Sequence, residues 1–547
     1  DLPYPHPPES QMVRGHAARS VARPRLLVQA GLLQAALLLF VAGAAAQTAR
    51  PAGVSGEAGA VVRGPMLLAT PEGERLLRAA RADLLAFRLD GADSLFAVLD
   101  AHEPSSPAGA YGRATVAFWR SLVDETPARR TEHAAAADAL EARAAALPAA
   151  GAAGTWRTFF EAEVALQRAV IAGRDERYLP AATSFRRACG RYADLLRTDP
   201  TFEDAYLGAG ACHVAAGQIP RKYRWIARLL GFSGTMAQGT AELERAAEHA
   251  VWTRETALTL RSALRAIYSD DDTAAIAAEA AALRTLQPES PLAAYIAGFL
   301  LVRARRASDA EVVLREAAAL SERPGVADLP TVDALLGLAM IRQERYAEGA
   351  ASLERFLDRF EGASYVAQVQ LTLGIAREMD GDRRGAESAY RRVRARRDYD
   401  NDRAAEREAR RRLQHPMDVR ERSLLRGQFL FDGGHSRDAI AAVQPIFGDD
   451  GAAPVQRAEA AYRTGRAHHA LGEWADAARY YRLAADNPGD PAAKWGPWSR
   501  FHLGEVLERQ GDTAGAREAY RAVLDDEHEF DFHQALEQRA RAALEGL

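Results

Sequence analysis

AEAAYRTGRAHHALGEWADAARYYRLAADNP, residues 458–488, decides the fold. It reads as one helix, a tight turn at Leu471-Gly472-Glu473, and a second helix that runs out at Pro488. Gly465 and Ala477 fall where two such helices would cross, and a larger residue there would push their axes apart. Tyr481 and Ala484 come one turn later and are expected to pack against the next unit. Composition agrees with helix: alanine dominates the 48% hydrophobic content, aromatics are only 7%, and the rest is rich in arginine and glutamate.

The same pulse recurs outward from this stretch. Downstream stand Gly504, the turn Gly511-Asp512, then Ala516, Tyr520 and Val523. Upstream, Gly427, Gly374, Gly337 and Gly298 each lead a comparable series, such as Gly374, Gly381-Asp382, Ala386, Tyr390 and Val393. Further back the signal is weaker. Ala263 with Ala275 and Ala282, and Ala80 with Ala92, Phe96 and Leu99, keep the phase, while 107–148 and 155–200 each read as a helical pair. No segment alternates as a strand must. Two insertions interrupt the series: one near 219–234, carrying Trp225 and Phe232, and one after Val393 that is long enough for an extra helix before Pro416.

These units resemble tetratricopeptide repeats, 34-residue helix–turn–helix modules with a small–aromatic–small–Pro signature, over roughly residues 69–547. The insertion, with Leu230-Gly231-Phe232-Ser233-Gly234 before a Gly-led helix, resembles one in a group of exported bacterial repeat proteins. The resemblance implies an all-α superhelix of about ten units, degenerate over 69–290 and regular over 291–547. It implies in turn a non-catalytic scaffold that binds a protein or peptide in its concave groove.

Length and charge set the bounds. A chain of 547 residues exceeds one compact core, and a formal charge of −4 gives no bulk attraction for nucleic acid. Arg14, Arg19, Arg23 and Arg25 after Met12, an apolar run over 26–41, and Ala44-Ala45-Ala46 before Gln47 form the three parts of a secretory signal. Residues 1–46 are therefore expected to be removed on export to the periplasm or beyond, with 47–68 a flexible lead-in. One alternative is an uncleaved membrane anchor, making the chain a membrane-associated envelope assembly factor, with the 219–234 insertion as a second route to a membrane surface; the other is a helical-repeat enzyme, since a pair of catalytic carboxylates has no fixed spacing. Cys189 and Cys212 are too few for a disulfide framework and read as small apolar residues within helices, although adjacent helices could bring them together.

Catalytic and metal signatures are missing: there is no G-x-S-x-G elbow and no phosphate loop. His528 and His533 in DDEHEFDFH are five apart, not the four of a helical zinc pair. His468 and His469 are adjacent and point to different faces. The arginines of 391–412 interleave with acids at helical spacing, the pattern of a solvated, ion-paired helix. The sequence thus leads us to expect no catalytic residue, metal or cofactor. The candidate site is the groove itself, lined by the first helix of each unit. Counting from the phase glycines places Tyr295, Phe299, Arg303, Arg342, Glu378, Phe431, Tyr462, Arg466, His469, Phe501, Glu505 and Arg509 on that surface. Aromatics and arginines are the types that anchor interfaces.

Overall fold

The computed structural model describes residues 65–217, 219, 233–268, 273–395, 400–486, 494–526, 528 and 533–547. The leader at 1–46 and the insertion residues Trp225 and Phe232 lie outside the described residues. Among those described there are twenty-four α-helices and no strand. The chain is a succession of eleven antiparallel helical pairs, in agreement with the all-α superhelix expected. The first five are α1 Pro71–Leu85 with α2 Leu89–His102, α3 Ala108–Asp124 with α4 Pro127–Ala145, α5 Gly151–Arg174 with α6 Tyr178–Thr198, α7 Ala205–Gly217 with α8 Met236–His249, and α9 Arg254–Tyr268 with α10 Thr273–Leu286. Three more are α11 Pro291–Arg303 with α12 Ala307–Ser321, α13 Thr331–Ile341 with α14 Tyr346–Arg359, and α15 Val366–Met379 with α16 Arg383–Arg392. The single helix α17, Asp400–Gln414, is the extra element of the second insertion. Then come α18 Val419–Gly433 with α19 Ser436–Val443, α20 Pro454–Ala470 with α21 Trp474–Asp486, and α22 Trp495–Arg509 with α23 Thr513–Leu524, before the terminal α24 His533–Gly546.

Local chemistry sets the starts of many helices. Thr70, Thr126 and Ser290 accept from the backbone three residues on, each followed by a proline at the first helical position. Asp382, Asp418 and Asp512 cap their helices in the same way. Most of the described turns inside the pairs share one construction. In nine of them a left-handed residue follows the first helix: Glu125 in the α3/α4 turn, and Phe87, Glu176, Arg305, Glu344, Gly381, Gly434, Gly472 and Gly511 in eight others. In those eight, the next residue donates back five positions, as Glu473 does to the His468 carbonyl at 2.9 Å and Arg177 to Ala172 at 2.9 Å. This is the Schellman closure, which satisfies carbonyls left open at a helix end.

Between paired helices, the phase glycines meet large side chains. A Cβ on Gly465 would stand 2.7 Å from the Tyr481 ring, and one on Gly504 2.5 Å from Tyr520. Tyr481 thus fills the crossing of its own pair as well as touching the next unit through Val506. In the first half the contact runs backward, Gly112 receiving Phe96 and Gly208 receiving Tyr192 from the preceding helix.

The first half coils tightly enough to close on the middle of the chain. One core cluster runs from Met66 to Met340. Ala327 donates to the Phe87 carbonyl at 2.9 Å, and the backbone N–H groups of Ala363 and Ser364 donate to Glu125. Cys189 and Cys212, which the sequence reads as small apolar residues, are joined by a disulfide that ties α6 to α7 across a Cα separation of 5.7 Å.

Candidate partner-binding site

The twelve residues expected along the groove divide by how the coil treats them. Tyr295 and Phe299 pack against the large N-terminal core, and Tyr295 lines a small cavity with Trp119, Leu292 and Leu329. Burial pushes the Tyr295 hydroxyl up to about 12. Arg303 is half-buried at the end of α11. Arg342 is only 3% exposed and donates to the carbonyls of Val302 at 2.8 Å and Asp432 at 3.3 Å, pinning three hairpin turns together. Glu378 is fully buried. It accepts from Tyr390 at 2.8 Å, Arg383 at 2.8 Å and the Met417 N–H at 2.9 Å. The chain leaving α17 therefore covers it, and neither Arg342 nor Glu378 presents an open surface.

The C-terminal members converge instead. Tyr462, Arg466 and His469 follow at four and three residues along one face of α20, and Glu505 and Arg509 do so on α22. Arg466 donates to the Tyr462 hydroxyl at 3.1 Å and lies over the Phe431 ring at 5.0 Å, which Arg305 also covers at 4.9 Å. Arg509 is exposed, donates to His469 Nε2 at 3.4 Å and covers Trp474 at 5.5 Å. Phe501 is buried against Tyr520 and belongs to the terminal core, with Arg539 over its ring at 4.8 Å.

Four residues of this cluster escape the face count: Trp474, Tyr481, His502 and Arg539. His502 stacks on Tyr481 at 5.6 Å and donates from Nδ1 to Glu505 at 2.6 Å. Burial pushes both His502 and His469 below the ordinary range, His469 to about 4. Burial works the other way on Glu505, but His502, with Arg539 beyond it, outweighs that effect and holds the carboxyl at about 2. At neutral pH the cluster is thus a carboxylate and two neutral imidazoles beside three arginines. It can accept an anion at Arg509 and stack planar groups on Trp474.

Two other stretches are tied up internally. His533 contacts the His528 carbonyl at 2.6 Å and Glu537 at 3.3 Å, while His528 pairs with Asp526 at 2.9 Å. Arg410 and Arg411 pair with Glu406 and Glu408 as the interleaving implies, but Arg412 is 1% exposed and bound to Glu408 and Glu421, so part of that helix faces inward. A separate cavity of about 120 Å³ lies among α1, α2, α3, α5 and α9, walled by Leu77, Phe96 and Trp119 with Glu163 as a buried polar group.

Residues 498–527, which span most of α22 and all of α23, match the family model described as Tetratricopeptide repeat. No curated protein matches the chain. Among solved structures the chain is similar to the crystal structure of the APC/C hetero-tetramer Cut9-Hcn1, at 10% identity and a TM-score of 0.25, covering 87% of this chain and 96% of that one. It is also similar to the TPR domain of P58(IPK), at 13% identity and a TM-score of 0.19, covering 87% and 99%. These superpositions are loose, and the fold assignment rests on the helical pairs themselves and on the matched repeat.

Proposed function

We propose that the chain is an exported, non-catalytic scaffold whose C-terminal units bind a protein or peptide. Tandem helical pairs of this kind offer a curved surface for protein interaction. The observation that carries the reading is the convergence of Tyr462, Arg466, His469, Glu505 and Arg509 from two successive first helices, with Arg509 exposed at the edge. Arg509 would take a carboxylate of the partner, while Trp474 and Tyr462 supply apolar contact. Export is supported by the three-part leader and by the Cys189–Cys212 bond, since disulfides persist in oxidising compartments.

The competing reading keeps the apolar run at 26–41 as an anchor and makes the chain a membrane-associated assembly factor. No helix among the described residues is long and apolar enough to cross a membrane. N-terminal sequencing after fractionation separates the two, because a soluble mature chain beginning at Gln47 counts against the anchor.

The decisive test is a photoreactive residue placed at the exposed position 510, beside an intact Arg509, in cells, with mass spectrometry of what it captures. Recurrent cross-links to one envelope protein, lost when Tyr462 and Trp474 are replaced by alanine, support the scaffold. Cross-links only to the chain itself, or none, overturn it.

A further inference from the structure

One side-chain cluster between α20 and α22 has the donors of a transition-metal site. His469, His502 and Glu505 each bring a donor atom into a group whose members lie within 4.8 Å of one another. His502 and Glu505 are three apart, so one face of α22 carries both. Glu505 as a carboxylate can only accept, so His502 Nδ1 carries the proton of their 2.6 Å hydrogen bond, and the lone pair of His502 is on Nε2. That nitrogen is buried with no hydrogen-bond partner, in a residue only 7% exposed. Such an orphan is costly unless something uses it. At His469 the logic repeats. Arg509 can only donate, so its contact at 3.4 Å places a lone pair on Nε2, while Nδ1 rests on the Tyr481 hydroxyl at 3.3 Å. A hydrogen bond on the far ring nitrogen is the usual way a ligating imidazole is held in orientation.

We propose that His469, His502 and Glu505 bind a late first-row divalent metal ion, with zinc as the reference case. In a tetrahedral site with bonds of about 2.0–2.2 Å, donors stand about 3.3 Å apart. Closing that difference requires side-chain rotation in which Glu505 gives up its hydrogen bond to His502 Nδ1 and turns to the metal. Three protein ligands leave a fourth position for water or a bound group, the arrangement of open rather than structural sites. The donor set selects the ion. A single carboxylate disfavours calcium or magnesium, ions held by several oxygens, while Arg466, Arg509 and Arg539 weaken the site for any cation. Imidazole donors favour zinc, nickel or copper. Arg509 competes with the metal for the His469 lone pair, so removing it strengthens binding.

The test is calorimetric titration of the metal-stripped full chain with zinc chloride, with magnesium chloride as the contrast and circular dichroism to follow folding. One equivalent of zinc binds in the micromolar range, and magnesium gives no saturable heat. His469→Ala and Glu505→Gln each weaken zinc at least tenfold, and Arg509→Ala tightens it severalfold. His502→Ala removes a stacked ring as well as a ligand; if it fails to fold, the other three variants decide. Absence of a one-equivalent event, or affinity unchanged in both His469→Ala and Glu505→Gln, overturns the site.

Discussion

Gly465 lies so close to Tyr481 that a single added methyl would stand 2.7 Å from the ring. Tyr481 is fully buried and is held on its other side by the His502 ring, so it cannot retreat. Gly465→Leu is therefore expected to destabilise the chain by about 1–3 kcal/mol through overpacking. The control is Gly190→Ala on α6, where nothing lies within 4 Å of the added carbon and the helix gains about 0.5–1 kcal/mol. Thermal unfolding of both variants reads the contrast. Equal melting temperatures would mean that the glycine crossing does not set the stacking distance.

Glu176 occupies the left-handed position of the α5/α6 turn, with φ 59°, that Gly472 fills between α20 and α21 with φ 73°. Both turns make the same closing hydrogen bonds, so the two sites differ only in the strain of a side chain on a left-handed residue. Glu176→Gly should stabilise by about 1 kcal/mol. A denaturant midpoint that falls instead would show the glutamate to be holding something the turn needs.

That pair also explains how far the sequence could be read. Where glycine marks the turn, as at Gly381, Gly434, Gly472 and Gly511, the repeat phase is plain from composition alone. Phe87 and Glu176 do the same work without a mark, so their stretch looks irregular although these two turns close alike; Arg305 and Glu344 are unmarked too, but there the phase glycines Gly298 and Gly337 keep the series readable. A count along one helix fails where a later stretch of chain covers the residue. Counting along one helix places Glu378 on the inner face, but it cannot reveal that the chain leaving α17 will donate to that carboxylate. Arg342 is hidden likewise by a hairpin ninety positions later in the chain. His502 escaped because its neighbour Phe501 has the more obvious side chain, and its partners Tyr481 and Tyr462 come from another pair.

Cys189 and Cys212 close a loop with a sequence separation of 23. On the chain-entropy account, a cross-link of that length stabilises by about 3 kcal/mol by restricting the unfolded chain. Replacing both cysteines by serine should lower the denaturant midpoint accordingly, and reductant should then have no further effect. If reductant shifts the wild type and the variant equally, the bond does not form in solution.

His133 is 2% exposed, faces Gln167 at 3.2 Å and the Phe118 ring at 5.9 Å, and stands between the opposing charges of Arg168 and Asp138. Burial lowers its pKa from 6.5 to about 4. The unfolded chain therefore takes up a proton near pH 6.5 that the folded chain refuses until about pH 4. Since the unfolded state binds more protons across that window, stability is full above pH 6.5, falls as the pH drops, and loses nothing more from this group below about 4. At pH 5 the loss amounts to about 2 kcal/mol, from 1.36 kcal/mol per pKa unit. His133→Gln keeps a polar group beside Gln167 but cannot titrate, so its stability should fall less between pH 7.5 and pH 5 by about that amount. Denaturant unfolding of both proteins at the two pH values measures the difference, and parallel losses would show that His133 is protonated in the folded chain or accessible to water.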